Sequence, residues 1–497
     1  MNGAKKIFSG IKWTYANAII SSIYGFFSVP ILLDYFGKAN IGLIALATSL
    51  NVYLQLMDLG ISGTTIRYFA TWIAKNDKEK TQKLFGTSLF FLSIIGLVNT
   101  LILLFVCHFS DVIFNIDQQQ ASCVKVLLII LGINAFFSWA TSPIDQIIKA
   151  GENVAWLQKR ALFPTLFQVA ILILTIVFKL KLPIYFALST FSYLIILPIT
   201  IHKAKSLYPF IKFKPNFDLC IFKEILSYSI SIFSFGIFQF SMLNLRPVIL
   251  GIQCDIESVA DFKIMNGIIG MVLTISSCFF SVMLPSSTRV VAQGNEDAKN
   301  KITYDGTKYI TIILSLMIFG GIVVGDYLLQ IYVGKSFSNL HIWLSIWLLS
   351  LFVQHNQAIS TLIFAGTNLK PIAYISAFST IIGLVLCWFL SPLFKVGGTV
   401  IGYFVYTLSQ TTFYYAYYWP KVMHIDSRLV FRYSFAPPFL CGLICATCSK
   451  SLISLFNLST VSSFLFAGCS FTIIYLILTY FVVINNNDKE FLLKLLR

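Results

Sequence analysis

The chain has 497 residues, of which 57% are hydrophobic and 11% charged, with a mean hydropathy of +0.81 and a formal net charge of +16. Soluble domains carry roughly 25% charged residues, so this chain cannot cover a water-facing surface of its own size and its solvent is mostly lipid. The positive charge does not indicate nucleic acid. It sits in short loops between apolar runs, is mostly Lys (29 of the 36 basic residues), and marks topology.

A membrane-spanning helix needs about 20 mostly apolar residues. The N-terminal stretch MNGAKKIFSGIK is basic and leads into an apolar run at 11–33. That run exceeds the roughly 7–15 residues of a signal-peptide core and lacks a small-residue cleavage site, so it reads as an uncleaved first helix. Further spans are expected at 40–63, 84–107, 121–142, 161–179, 182–201, 225–250, 259–283, 309–332, 340–363, 371–392, 396–418, 433–453 and 461–484. The expected fold class is therefore all-α, a polytopic membrane protein with about fourteen transmembrane helices. With the N-terminus inside, 27 of the 36 basic residues fall in inner segments, an excess that places both termini in the cytoplasm. The tail 488–497 has the composition of a short surface helix.

Helices 1–6 and 7–12 read as two copies. Val29-Pro30-Ile31-Leu32-Leu33 recurs as Arg246-Pro247-Val248-Ile249-Leu250, 217 residues on. Asp111 pairs with Asp326, and Ala150-Gly151-Glu152-Asn153 with Ala365-Gly366-Thr367-Asn368, both 215 residues on. Six helices per copy is an even number, so the copies share orientation and are parallel repeats, with a substrate expected between two halves that rock. The expected lobes are 1–215 and 216–420, followed by helices 13–14 and a cytoplasmic tail at 421–497.

No Walker A loop, HExxH, GxSxG or paired His ligands occur, and the outer loops are short; the chain reads as a transporter, not an enzyme, with no metal and no cofactor. Cys441, Cys445 and Cys448 read as packing residues, since no His shares their run. Thr14, Asn17, Ser21, Tyr24 and Ser28 follow a 3-4-3-4 spacing on one face of helix 1. Ser231, Ser234 and Ser241 lie 217 residues beyond Thr14, Asn17 and Tyr24, and Gln239 is on the same helix. Two readings stand: close helix packing through small hydroxyl residues, or a wet seam. On the second, Asn17, Ser21, Tyr24, Ser234, Gln239 and Ser241 contact the substrate. Arg246 is a candidate anion contact, charged and a few residues inside the outer end of helix 7. Asp58 is either a cytoplasmic gate residue or a helix cap, and Arg67 and Arg289 join it as gate candidates. Tyr414, Tyr415, Tyr417, Tyr418 and Trp419 fit an aromatic belt.

The stretch Val29-Pro30-Ile31-Leu32-Leu33, with Gly37, Ile41-Gly42-Leu43, Met57-Asp58-Leu59-Gly60-Ile61 and Arg67, resembles the opening of bacterial polysaccharide-export flippases. These are the Wzx-type O-antigen transporters of the multidrug/oligosaccharidyl-lipid/polysaccharide exporter superfamily. The Ala-Gly-x-Asn before helix 5 is similar to that family too; at Arg246, many relatives would carry Asp or an apolar residue. The resemblance implies an undecaprenyl-diphosphate-linked oligosaccharide, an O-antigen or capsule repeat unit, flipped across the bacterial inner membrane. Membrane lipid, a polysaccharide polymerase and a chain-length regulator are the partners it implies. The rivals are a multidrug cation antiporter or a lipid II flippase of the same superfamily, and, less well supported, a polysaccharide polymerase.

Overall fold

The computed structural model describes residues 2–151, 153–366, 370–456 and 459–484, and they contain helices and no strand. Among the described residues, twelve helices are long and apolar enough to cross a membrane. Two more, Leu219–Asn244 and Val396–Phe413, occupy the positions expected for helices 7 and 12, so each of the fourteen expected spans meets a helix. Val396–Phe413 falls below the apolar criterion for a physical reason. It carries Gly397, Gly398, Thr399, Gly402 and Thr407, all buried against protein rather than lipid. The chain is a multi-pass membrane protein. Cys441 and Cys445 are buried, as packing residues should be, whereas Cys448 is exposed, against that expectation.

The chain divides into two compact units within one long helix, at Ile264/Met265. The first unit begins with α1 (Asn2–Phe36), α2 (Lys38–Leu54), α3 (Ile61–Ala74), α4 (Lys78–His108), α5 (Ser110–Ile113) and α6 (Gln118–Ala150). It continues with α7 (Val154–Phe178), α8 (Leu182–Phe191), α9 (Leu197–Leu207), α10 (Leu219–Asn244) and α11 (Arg246–Gln253), and takes the start of α12 (Ile256–Gln293). The 121–142 span is longer than expected because α6 continues through Pro143 to Ala150. At one end of α3, α4 and α6, a core of Phe69, Trp72, Leu84, Phe85, Ile144 and Ile148 fixes these helices together. Helix α10, assigned by sequence to the second repeat, packs on α2, α3 and α4.

Four expected single helices are interrupted, 182–201 and 340–363 by 3₁₀ turns at Ser192–Ile196 and Leu351–Asn356 and two more as follows. The 40–63 span is α2, a 3₁₀ turn at Gln55–Asp58, two left-handed residues, Leu59 (φ 50) and Gly60 (φ 75), and then α3. The 225–250 span stops at Asn244 and restarts at Arg246, where Pro247 has no N–H to continue the ladder.

The second unit holds the rest of α12, α13 (Glu296–Lys301), α14 (Thr307–Tyr332), α15 (His341–Ser350), α16 (Gln357–Gly366), α17 (Lys370–Phe394) and α18 (Val396–Phe413). It ends with α19 (Ser427–Leu429), α20 (Ala436–Ser454) and α21 (Thr460–Val482). Helix α18 leads into a π-helical stretch, Tyr414–Val422. That wider turn corrects the aromatic-belt expectation: Tyr418 and Trp419 are wholly buried, while Tyr417 is 42% exposed. Tyr415 turns inward as well, and its hydroxyl meets His355 Nε2 at 2.8 Å. The repeat partner Ala365-Gly366-Thr367-Asn368 and the tail 488–497 lie partly or wholly outside the described residues.

Candidate functional site

A polar cluster sits on the break after α2. The Asp58 carboxylate accepts from the Ser62 backbone N–H (3.1 and 3.3 Å) and from the Ser62 hydroxyl (2.7 Å). It thereby caps the first turn of α3, whose leading N–H groups have no carbonyl to meet. Gln146 of α6 donates through Nε2 to Ser62 Oγ (2.8 Å) and Ser142 Oγ (2.9 Å). The Gln146 side chain is buried, and Asp58, Ser62 and Ser142 are half-buried. No ion pair involves Asp58 among the described residues. Of the two sequence readings of Asp58, the cap is therefore visible in the geometry.

Beside this cluster, Arg160 of α7 grips Asp145 of α6 with two parallel bonds of 2.8 and 2.9 Å and donates to Thr200 of α9 at 2.8 Å. The guanidinium fork matches the carboxylate and fixes three helices in one register. At the other end of α2, Lys38 pairs with Asp261 (2.8 Å) and Glu257 (3.7 Å) at the start of α12. Close by, Gly42 faces the Ile256 carbonyl so tightly that a Cβ would collide with it. Asp111 and Lys125 form an exposed pair at 3.2 Å. The bond from its own backbone N–H, and then Lys125, hold the Asp111 carboxyl below the usual carboxylate range.

The other sequence candidates scatter. On α1, Asn17 donates to Gln158 of α7 at 3.1 Å and Tyr24 lies beside Tyr185 of α8, so both serve helix packing here, while Ser21 is exposed. On α10, Gln239 is exposed and Ser241 is buried. The side chains of Ser234 and Arg289 lie outside those described. Arg67 is exposed on α3. Arg246 is 1% exposed; its Nε donates to the Met242 carbonyl at 3.0 Å and its guanidinium stacks 5.0 Å above the Phe262 ring. It thus satisfies a carbonyl at the end of α10, next to the Pro247 break. Sequence reading missed Ser62, Ser142, Gln146 and the Arg160–Asp145 clamp. One signal was available: Ser142 and Gln146 stand four apart, on one helix face.

No family model and no curated protein matches the sequence. Solved structures do match. A lipid II flippase in an inward closed conformation superposes with a TM-score of 0.70 at 13% identity, covering 94% of this chain and 98% of that one. An inward-facing multidrug resistance transporter of the MOP superfamily gives 0.63 at 12% identity, covering 86% and 96%. A second multidrug transporter, solved as a complex, gives 0.54 at 14% identity, covering 83% and 96%. This chain therefore has the fold that a lipid II flippase shares with multidrug transporters of the MOP superfamily.

Proposed function

We propose that the chain is a flippase that carries an undecaprenyl-diphosphate-linked oligosaccharide, an O-antigen or capsule repeat unit, from the inner to the outer leaflet of a bacterial cytoplasmic membrane. The supporting observation is the fold likeness. The TM-score is 0.70 with a lipid II flippase, against 0.63 and 0.54 with the two multidrug transporters. The sequence motif at 29–67 points the same way. A diphosphate with several sugars cannot cross about 30 Å of hydrocarbon unaided. Alternating access by the two repeats would move the head group with no covalent step, while the polyprenyl tail stays in lipid. Asn17, Ser21, Tyr24, Ser234, Gln239 and Ser241 are the proposed polar contacts, and Arg246 the proposed diphosphate contact. Arg246 is covered by Phe262 in this conformation, so that contact requires another one. A lipid II flippase is an alternative of the same kind, and a multidrug antiporter is the second reading, since the same fold serves both.

Deleting the gene separates the two. The expected result is loss of surface polysaccharide, with lipid-linked repeat units retained on the inner leaflet. Normal polysaccharide in a strain with no second flippase, together with raised drug sensitivity, replaces the flippase reading with the antiporter. Arg246→Ala should abolish export at unchanged protein level and Arg246→Lys should keep part of it, because Lys retains the charge without the fork. Normal export by Arg246→Ala removes Arg246 from the substrate path alone.

A further inference from the structure

One side-chain pair in the second unit stands between two cavities. His355, in the 3₁₀ turn Leu351–Asn356, places Nδ1 2.6 Å from the Phe352 carbonyl and Nε2 2.8 Å from the Tyr415 hydroxyl. A carbonyl only accepts, so Nδ1 carries the proton and, in the neutral ring, Nε2 accepts from Tyr415. On the His355 side lies an apolar groove of about 340 Å³, walled by Leu349, Phe352, Val353, Phe404, Leu408 and Phe439. Leu408, on a spanning helix, is 54% exposed, so the groove opens toward lipid. On the Tyr415 side lies a polar cavity of about 620 Å³, lined by Pro420, His424, Asp426, Ser427 and Arg428. It sits where the π-helical stretch after α18 ends and the chain turns back toward α20.

The charges around the polar cavity do not cancel. The Asp426 carboxylate turns onto the backbone N–H groups of Arg428 and Leu429, at 2.9 and 3.3 Å. The Arg428 guanidinium is left exposed and joins no ion pair among the described residues. His424 is exposed too, in a left-handed conformation (φ 55) that helps reverse the chain. Lys421 adds a positive charge from the same turn, 5.4 Å above the Tyr417 ring. Topogenic charge accounts for basic residues in a loop. It does not account for a cavity built around them with an apolar groove on the far side of one hydrogen bond.

We propose that the two cavities together hold one anionic phospholipid, with its phosphate on Arg428 and His424, an acyl chain in the groove at Phe404 and Leu408, and the His355–Tyr415 pair between head group and tail. The guanidinium fork matches phosphate oxygens. Basic pockets between spanning helices suit acidic head groups. A groove without polar partners does not hold water, and in a bilayer hydrocarbon fills it. The site lies within the second unit and does not depend on which molecule the protein transports.

The test uses the purified full-length protein in a neutral detergent, titrated with phosphatidylglycerol, and read by native mass spectrometry and thermal unfolding. Phosphatidylcholine, whose head group has no net charge, and a polyprenyl diphosphate are the comparisons. Saturable binding of about one phosphatidylglycerol per chain is expected, with a midpoint of unfolding that rises as the site fills. Phosphatidylcholine should give no comparable rise. Arg428→Gln should weaken phosphatidylglycerol binding about tenfold or more, because the fork on the phosphate is gone. Leu408→Trp, which fills the groove from its exposed edge, should weaken binding with Arg428 intact. Both positions are exposed, and each variant remains informative if the other folds poorly. Lys125→Ala should bind as wild type. Equal binding of the two phospholipids, or unchanged phosphatidylglycerol binding in either variant, overturns the site. Displacement of phosphatidylglycerol by the polyprenyl diphosphate assigns the site to a transported lipid and overturns it too. Because the readout is binding by purified protein, a failed polysaccharide phenotype leaves this result standing.

Discussion

In Met1–Ile264, neighbouring helices are tied by charged and polar pairs: Arg160 to Asp145 and Thr200, Asn17 to Gln158, Ser229 to Thr64, Lys38 to Asp261. In Met265–Arg497, polar pairs such as His355–Tyr415 and Ser287–Thr361 also join helices, and the α17–α18 seam is steric. Gly398 and Gly402 of α18 lie against the backbone of α17 at Leu390, Ser391, Gly383 and Cys387. Gly442 of α20 meets the Phe319 ring, and Phe319, Phe352, Phe435 and Phe439 stack with ring centroids 4.9–5.8 Å apart. The ion pairs described there, Lys299–Glu296 and Lys308–Asp305, join neighbours along the chain. Lipid tails are as apolar as Leu, so hydrophobicity alone does not bring membrane helices together. Both units use the two remaining means, at different seams. A polar pair can be exchanged for another partner or for water. A backbone seated on a glycine has one fit. The difference teaches that the α6–α7–α9 clamp can re-register more cheaply than the glycine-seated α17–α18 seam.

The largest effect that would test this contrast is at Gly402. A Cβ there already collides with the Gly383 carbonyl and Cys387, so Gly402→Leu must force α17 and α18 apart. The expected cost is about 3 kcal/mol or more, seen as a large fall in the thermal midpoint or as loss of folded protein in detergent. A stable Gly402→Leu protein would break the steric half of the comparison. Next comes Arg160→Ala. The clamp is partly exposed (23% for Arg160, 44% for Asp145), so the expected loss is about 1–2 kcal/mol, with Arg160→Lys recovering part of it. Equal loss in both variants would show that the fork geometry is irrelevant. The smallest effect is at Lys125. Its pairing with Asp111 contributes at neutral pH, since a depressed carboxyl stays ionised there, and is lost only as pH falls through the folded value. Both groups face solvent, so Lys125→Ala should unfold indistinguishably from wild type at pH 7. A clear destabilisation would extend the polar half of the comparison to the surface.

Much of this fold is written in hydropathy. Fourteen apolar runs of the right length meet fourteen helices, because leaving lipid-facing backbone unpaired is prohibitive and helix is the local solution. The interruptions were hidden. Met57-Asp58-Leu59-Gly60 reads as one more stretch of a span, since left-handed geometry at a Leu leaves no compositional trace. Pro247 did announce a break, but not that Arg246 would bond the Met242 carbonyl. The serine and asparagine stripe on α1 was visible as a face. What that face meets could not be read from periodicity, and Asn17 meets Gln158. The polar cluster at α2–α3 was harder still: its four members are drawn from α3, α6 and the turn between α2 and α3, more than 80 positions apart in sequence.

The paired left-handed residues Leu59 and Gly60 also have a mechanical consequence. Helices α2 and α3 share no continuous ladder across them, so the two behave as separate levers on one pivot. Helix α2 packs on α1, α6, α10 and α11 and carries Lys38 at its tip; α3 is embedded among α4, α6 and α10. Tilting the first against the second turns two pairs of backbone torsions and also slides α2 over α6 and α10, on which both helices rest. A single unbroken helix in this place would transmit every displacement of Lys38 straight to Trp72. With the break, a displacement at the near end reaches the far one through α6 and α10 and not along a backbone ladder.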